Sequence, residues 1–263
     1  IESMILDGAN ERLYIGGSTY QSYDQNSGEV NSGFVGVIDI SNRNTPQLLN
    51  HLDLEDDVWS LALGKTILYA GLTQQGYAKG IIGIPLLPGD QFGQPVAVIP
   101  ASDPYQATYS MQIKGTHLYV GTIRALVTYD ISNPVIPKEI WRVSGESIIP
   151  LLDVRGFILH ENWIDAIGVV APEGTFFPLG ITAITPPEPV IGTSDAEYTS
   201  IAAGSENKLL LANDGLEIYN YNQMQSPKKL GTYNPSLGII GYQVILGNYL
   251  YTIDESSKGE KLY

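Results

Sequence analysis

Residues Leu118–Ile140 read LYVGTIRALVTYDISNPVIPKEI. Two short apolar runs, Leu118–Val120 and Ala125–Tyr129, flank a Gly-containing connection, which is the pattern of a β-hairpin. The polar phrase Asp130-Ile131-Ser132-Asn133 then ends the second run. Asp, Ser and Asn cap free backbone groups at such a point, and Pro134 blocks continuation of the strand. A further run starts after Pro137. The same phrase returns at Gly33 as GFVGVIDISNRNTPQLLNHLDL, at Gly180 as GITAITPPEPVIGTSD and at Gly215 as GLEIYNYNQMQSPKKLGTYN. Each sets a proline after the turn: Pro46, Pro137, Pro189 and Pro227. A looser copy begins at Gly80 and carries Pro95.

A second phrase precedes each copy: SMILDGANERLYIGG, SLALGKTILYAG, SMQIKGTHLYVG, SIAAGSENKLLLA and YQVILGNYLYT, with LLDVRGFILHE as a weaker member. Each reads as strand, tight Gly-containing turn, strand. Leu13-Tyr14, Leu68-Tyr69, Leu118-Tyr119, Leu210-Leu211 and Leu250-Tyr251 share one slot, with a weaker copy near Ile158. The two phrases alternate, so the unit is four strands, recurring every ~40 to 55 residues, the scale of a propeller blade. Helical periodicity is nowhere sustained. The expectation is an all-β protein: a β-propeller of four-stranded antiparallel blades, six in number with seven the alternative, the last incomplete within the chain. The blades fall at 2–56, 57–104, 105–147, 148–197, 198–236 and 237–263, one propeller domain over 1–263. Two long connections are expected, Ser18 to Ser32 and Asn162 to Phe177.

The stretch from Leu118 resembles the LVIVD-type propeller repeat, in which a strand ending in D-[IV]-S-N-P is followed by Pro and another strand. GVIDISNRNTPQL in the first blade is a good copy; the others are degenerate. The resemblance implies a bacterial or archaeal secreted or surface-attached protein, generally without an assigned catalytic activity.

Composition agrees with a globular sheet protein. Apolar residues make up 43%, while Gly (28) and Pro (16) punctuate the chain. A net charge of −14 disfavours nucleic acid and anionic membrane surfaces, both of which need clustered Lys and Arg. The chain has no cysteine, which excludes disulfides and thiolate chemistry. No apolar run reaches the ~20 residues of a membrane span.

Candidate chemistry is sparse. Asp39 and Asp130 occupy equivalent slots, but the slot holds Ile184 and Asn220 elsewhere, so a turn-capping role is expected. Asp24, Asn26 and Glu29 around Gly28 form the metal candidate, with calcium as the ion, because hard cations collect such oxygen ligands. They lack the third acidic ligand and distant Glu of an EF-hand. Asp53, Glu55, Asp56 and Asp57 make an acidic corner between blades, expected to be solvated. His51, His117 and His160 are scattered, and Ile164 stands where HENWI would need a second His to bind zinc. The serines of SGES, Ser144 and Ser147, have no His close in sequence. Tyr14, Tyr69, Tyr119 and Tyr251 recur in the repeat and are expected to pack between blades.

The chain ends on YLYTIDESSKGEKLY, where the last blade has two inner strands and at most a short third. A further segment, a short blunted blade, or a strand from a neighbour would each account for this. Lys258, Gly259, Glu260, Lys261, Leu262, Tyr263, Ile1, Glu2 and Ser3 are therefore the candidate interface. The expectation is a non-catalytic extracellular or cell-surface propeller without cofactor. Its role would be structural, assembling head to tail with its own copies or a surface partner. The alternative is a ligand-binding or glycan-hydrolysing propeller that uses its central mouth.

Overall fold

A computed structural model of the chain describes residues 1–19, 32–74, 77–101, 107–123, 125–144, 153–159, 163–170, 173–180, 200–203, 208–212, 216–220, 228–233, 240–246, 249–254 and 261–262. The described residues form strands and turns, with no helix among them. The chain divides into two compact units. The first is Ile1–Val120 with Thr128–Trp141, and the second is Gly121–Val127 with Arg142–Tyr263.

In the first unit, β1 (Ser3–Asp7), β2 (Arg12–Thr19), β3 (Ser32–Asp39) and β4 (Gln47–Leu54) pair in chain order as an up-and-down antiparallel sheet. The next sheet begins with β5 (Asp57–Leu63), β6 (Ile67–Gln74) and β7 (Tyr77–Leu87). Its β7 is long because PGD turns it into the short β8 (Gln91–Phe92), and β9 (Val96–Pro100) then pairs with the first part of β7. That detour is why the second copy of the repeat reads as a loose one. Gly89 and Asp90 both take the left-handed conformation there, as a tight reversal requires. The third sheet runs β10 (Thr108–Lys114), β11 (His117–Thr122), β12 (Ala125–Asp130), β13 (Lys138–Ser144), of which the residues up to Val120 and Thr128–Trp141 belong to this unit.

The sheets of this unit pack face to face. One core joins Tyr14, Val35 and Val37 of the first sheet to Val58, Leu61, Leu68, Ala70, Leu72 and Ile84 of the second. A second core joins Ala62, Ile67, Tyr69 and Ile81 to Met111, Leu118 and Val120. The middle sheet thus buries one apolar face against its predecessor and one against its successor. Strands buried on both faces lose simple alternation, which explains apolar runs such as Ile67–Ala70.

The second unit contains β14 (Asp153–Leu159), β15 (Trp163–Val170) and β16 (Glu173–Gly180) in one three-stranded sheet. β17 (Ser200–Ala203), β18 (Lys208–Ala212), β19 (Leu216–Asn220) and β20 (Lys228–Tyr233) form another sheet. β21 (Ile240–Leu246), β22 (Tyr249–Asp254) and β23 (Lys261–Leu262) complete the set. Two expectations fail here. The stretch from Asn162 to Phe177 is not a long loop: β15 and β16 pair along their whole length, Trp163 with Gly180 through Val170 with Glu173. Gly156 is not a hairpin turn but lies within β14 beside a register shift at Arg155, which places Ile158 on the first strand of its sheet instead of the second. A glycine inside a strand marks a bulge as readily as a turn.

Up-and-down four-stranded sheets stacked face to face are the blades of a β-propeller, and the chain has that fold.

Candidate functional site

The repeated turn builds itself from its own residues. The Asp39 carboxylate accepts the Ser41 amide at 2.8 Å, and Asp130 accepts that of Ser132 at 2.8 Å. One turn later, Asn42 and Asn133 accept the amides of Asn44 and Val135. Hydrogen bonds from Ser41 and Ser132 hold both aspartates below the ordinary carboxylate range. These carboxylates are occupied by their own backbone, as the turn chemistry of the sequence implies.

Three slots of the repeat fasten one sheet to the next. Tyr69 donates its buried hydroxyl to the carbonyl of Pro134 in the D-I-S-N-P turn of the following sheet, at 2.9 Å. Burial pushes that phenol up to about 12. Ser3 Oγ accepts the amide of Leu61, and Ser60 Oγ donates to the carbonyl of Thr108, each reaching the first strand of the next sheet. Gly16 and Gly71 share the last slot, three residues after Leu13 and Leu68. A methyl group at Gly16 would strike Val58, and one at Gly71 would strike Ser60 Oγ and the Thr108 side chain. Arg12 adds a two-pronged bond to Asp90 of the second sheet, at 3.1 and 3.2 Å, and an ion pair with Asp39 at 3.1 Å.

The acidic corner before β5 is less solvated than its composition suggests. Asp53 and Glu55 are exposed, Asp56 is half-buried and Asp57 is 7% exposed. Gly33 lies so close to the Asp56 carbonyl that a methyl group there would overlap it, which draws the corner against the start of β3. Burial raises the Asp56 carboxyl; Lys79 opposes the shift and Glu55 adds to it. Two residues into β5 the register with β6 slips, between Val58 and Ser60. The extra residue is Trp59. A bulge re-aims the side chain it carries, and Trp59 stacks on Tyr109 of β10, with ring centroids 5.4 Å apart and planes 20° apart. Both rings are half-buried. Sequence reading passed over this pair, although Trp59 beside the Ser60 slot was a signal within the repeat.

The other candidates are dispersed. Asp24, Asn26 and Glu29 lie outside the described residues, as does His160. Among the described residues no group of three His, Cys, Asp or Glu is placed to hold a metal ion. His51 is on β4, 4.0 Å from Asp53 in an exposed position, and His117 is on β11 against Tyr119. Ser144 ends β13, while Ser147 lies outside the described residues. Of the candidate interface, Ser3 is tied to Leu61, the Glu2 amide donates to Gly16, and Lys261–Leu262 pair as β23 with Asp254 and Ile253. Lys258, Gly259, Glu260 and Tyr263 lie outside the described residues. No helix among the described residues is long and apolar enough to cross a membrane.

The fold and its fastened turns define a propeller of blade repeats. More particularly, residues 107–144 match the LVIVD repeat, the segment that carried the resemblance in the sequence. Among curated proteins, none matches the chain in sequence. Solved structures do match in fold. A 6-phosphogluconolactonase candidate from Bacteroides fragilis aligns with a TM-score of 0.64 at 13% identity, over 100% of this chain and 82% of its own. A chain of a mitotic checkpoint complex aligns with a TM-score of 0.63 at 13% identity, over 98% of this chain and 72% of its own. The periplasmic gluconolactonase PpgL of Pseudomonas aeruginosa aligns with a TM-score of 0.59 at 8% identity, over 89% of this chain and 85% of its own. Such identities establish shared fold and nothing finer. The expectation of a non-catalytic propeller built for assembly is nonetheless corrected, because the structures this chain resembles end to end include gluconolactonases.

Proposed function

We propose that this propeller is a hydrolase of sugar lactones. The observation that carries the proposal is Asp56, a half-buried carboxylate with a raised proton affinity at the entry to the first strand of a blade. Carboxylates tuned in this direction serve as general bases near neutral pH. Fold likeness to gluconolactonases across the whole chain supports the substrate class. In the reaction, Asp56 takes a proton from water as the water oxygen bonds to the lactone carbonyl carbon. The ring C–O bond breaks, and the ring oxygen recovers the proton. The product is an open-chain hydroxy acid, and the chemistry requires no cofactor. A periplasmic relative in fold supports action outside the cytoplasm.

The test is turnover of glucono-1,5-lactone by the whole chain, followed as acid release above the spontaneous rate. Asp56→Asn is expected to lower kcat by about 100-fold or more, the usual contribution of a general base. For the native protein, kcat/KM should fall as pH drops through the raised Asp56 value, because the base form is lost. No turnover by the native chain, or full turnover by D56N, would overturn the proposal.

A further inference from the structure

Trp59 and Tyr109 come from the first strands of two successive sheets, and nothing in the local sequence brings them together. Three features hold the pair in place. The bulge at Trp59 turns its ring out of the regular register of β5. Ser60, the next residue, donates to the carbonyl of Thr108, the residue before Tyr109, at 3.0 Å. Gly71 opposite Ser60 leaves room for that approach, which a methyl group would close. The rings are therefore pre-organised by polar and steric contacts on their neighbours, while each stays half-buried. Simple core packing would not need a bulge, since Val58 and Leu61 on either side are already buried in the core between sheets.

We infer that Trp59 and Tyr109 form the recognition surface for an uncharged sugar-type ring and exclude phosphorylated ones. The inference rests on the lactonase reading and deepens it. An aromatic face takes the C–H face of a saccharide ring through dispersion and its surface quadrupole, and gains area at little entropic cost because it is already fixed. The charge of the surroundings sets the second half of the specificity. Glu55, Asp56 and Asp57 closely precede Trp59, and the cation acting on Asp56 is the exposed Lys79. A phosphate carries up to two further negative charges and would be repelled by that corner. An overall charge of −14 works in the same direction.

The experiment compares initial rates on glucono-1,5-lactone and its 6-phosphate, and titrates the non-hydrolysable glucono-1,5-lactam against tryptophan fluorescence. The native chain should prefer the neutral lactone, and the lactam should shift its emission saturably. Trp59→Ala should raise KM and the lactam Kd about tenfold, the size of one lost aromatic contact, with kcat little changed. Trp59→Phe keeps a ring and a fold: it should retain affinity and lose the emission change, and this variant decides the matter should W59A fail to fold. Unchanged KM and lactam affinity in W59A, an emission change that persists in W59F, or preference for the phosphate ester would each overturn the inference while lactone hydrolysis stood. Lactam binding through Trp59 without any turnover would support the recognition surface and overturn the lactonase reading.

Discussion

Tyr69 illustrates how much a single repeated side chain carries. Its ring is fully enclosed in the core between two sheets, and its hydroxyl closes the next sheet's turn at Pro134. Replacing it with Phe keeps the ring and deletes one buried hydrogen bond. Tyr69→Phe should cost about 1 kcal/mol, read as a fall in Tm of roughly 2–4 °C by calorimetry. An unchanged Tm would mean that the hydroxyl bond adds nothing. The repeat announced that Tyr69 packs between blades, because an aromatic in a fixed slot needs a fixed partner. That its partner is the carbonyl of Pro134 was not legible, since the sequence does not say which turn arrives above which strand.

At the scale of strands, the glycines three residues after Leu13 and Leu68 decide how closely the first two sheets approach their successors. Gly71→Ala would place a methyl group on Ser60 Oγ and the Thr108 side chain. Overpacking of this kind costs about 1–3 kcal/mol. Gly231 on β20 has open space where a methyl would go, so Gly231→Ala should change little and serves as the control. Urea midpoints that move equally in the two variants would show that the approach at Gly71 is not tight. The Trp59 bulge belongs to this scale as well. An alternating pattern predicts a strand but not a slipped register, which is why Trp59 looked like an ordinary member of its strand. The same blindness made Gly156 read as a turn and Asn162–Phe177 as a loop.

For the molecule as a whole, pH reports the turn chemistry. Asp39 and Asp130 have folded values below the ordinary 3.8. Their contribution is present above that value and is lost as pH falls through the folded ones. Asp56 has the opposite sign: its raised value makes the charged form unfavourable in the fold, a cost relieved on acidification. Stability should therefore hold or rise slightly on first acidification and then drop below the ordinary aspartate range. Asp39→Asn with Asp130→Asn should flatten the drop, measured as urea midpoint against pH. A drop of undiminished slope in the double variant would remove these two turns as its cause.

The propeller was legible because its instructions are local and repeated: an alternating strand, a Gly turn, then a polar turn such as Asp-Ile-Ser-Asn at Asp39 and Asp130, whose donors and acceptors lie two residues apart. The three aspartates before Trp59 differ from that pattern. Which is exposed, which half-buried and which enclosed depends on how β3 presses on the corner through Gly33. The Trp59–Tyr109 pair depends on a bulge in one sheet and a serine bond to the next. Hydrogen bonds within a turn are closed by the chain's own geometry, so residue order suffices to write them. Contacts between sheets are closed by packing, and only the folded arrangement sets the register that brings the indole of one sheet onto the phenol of the next.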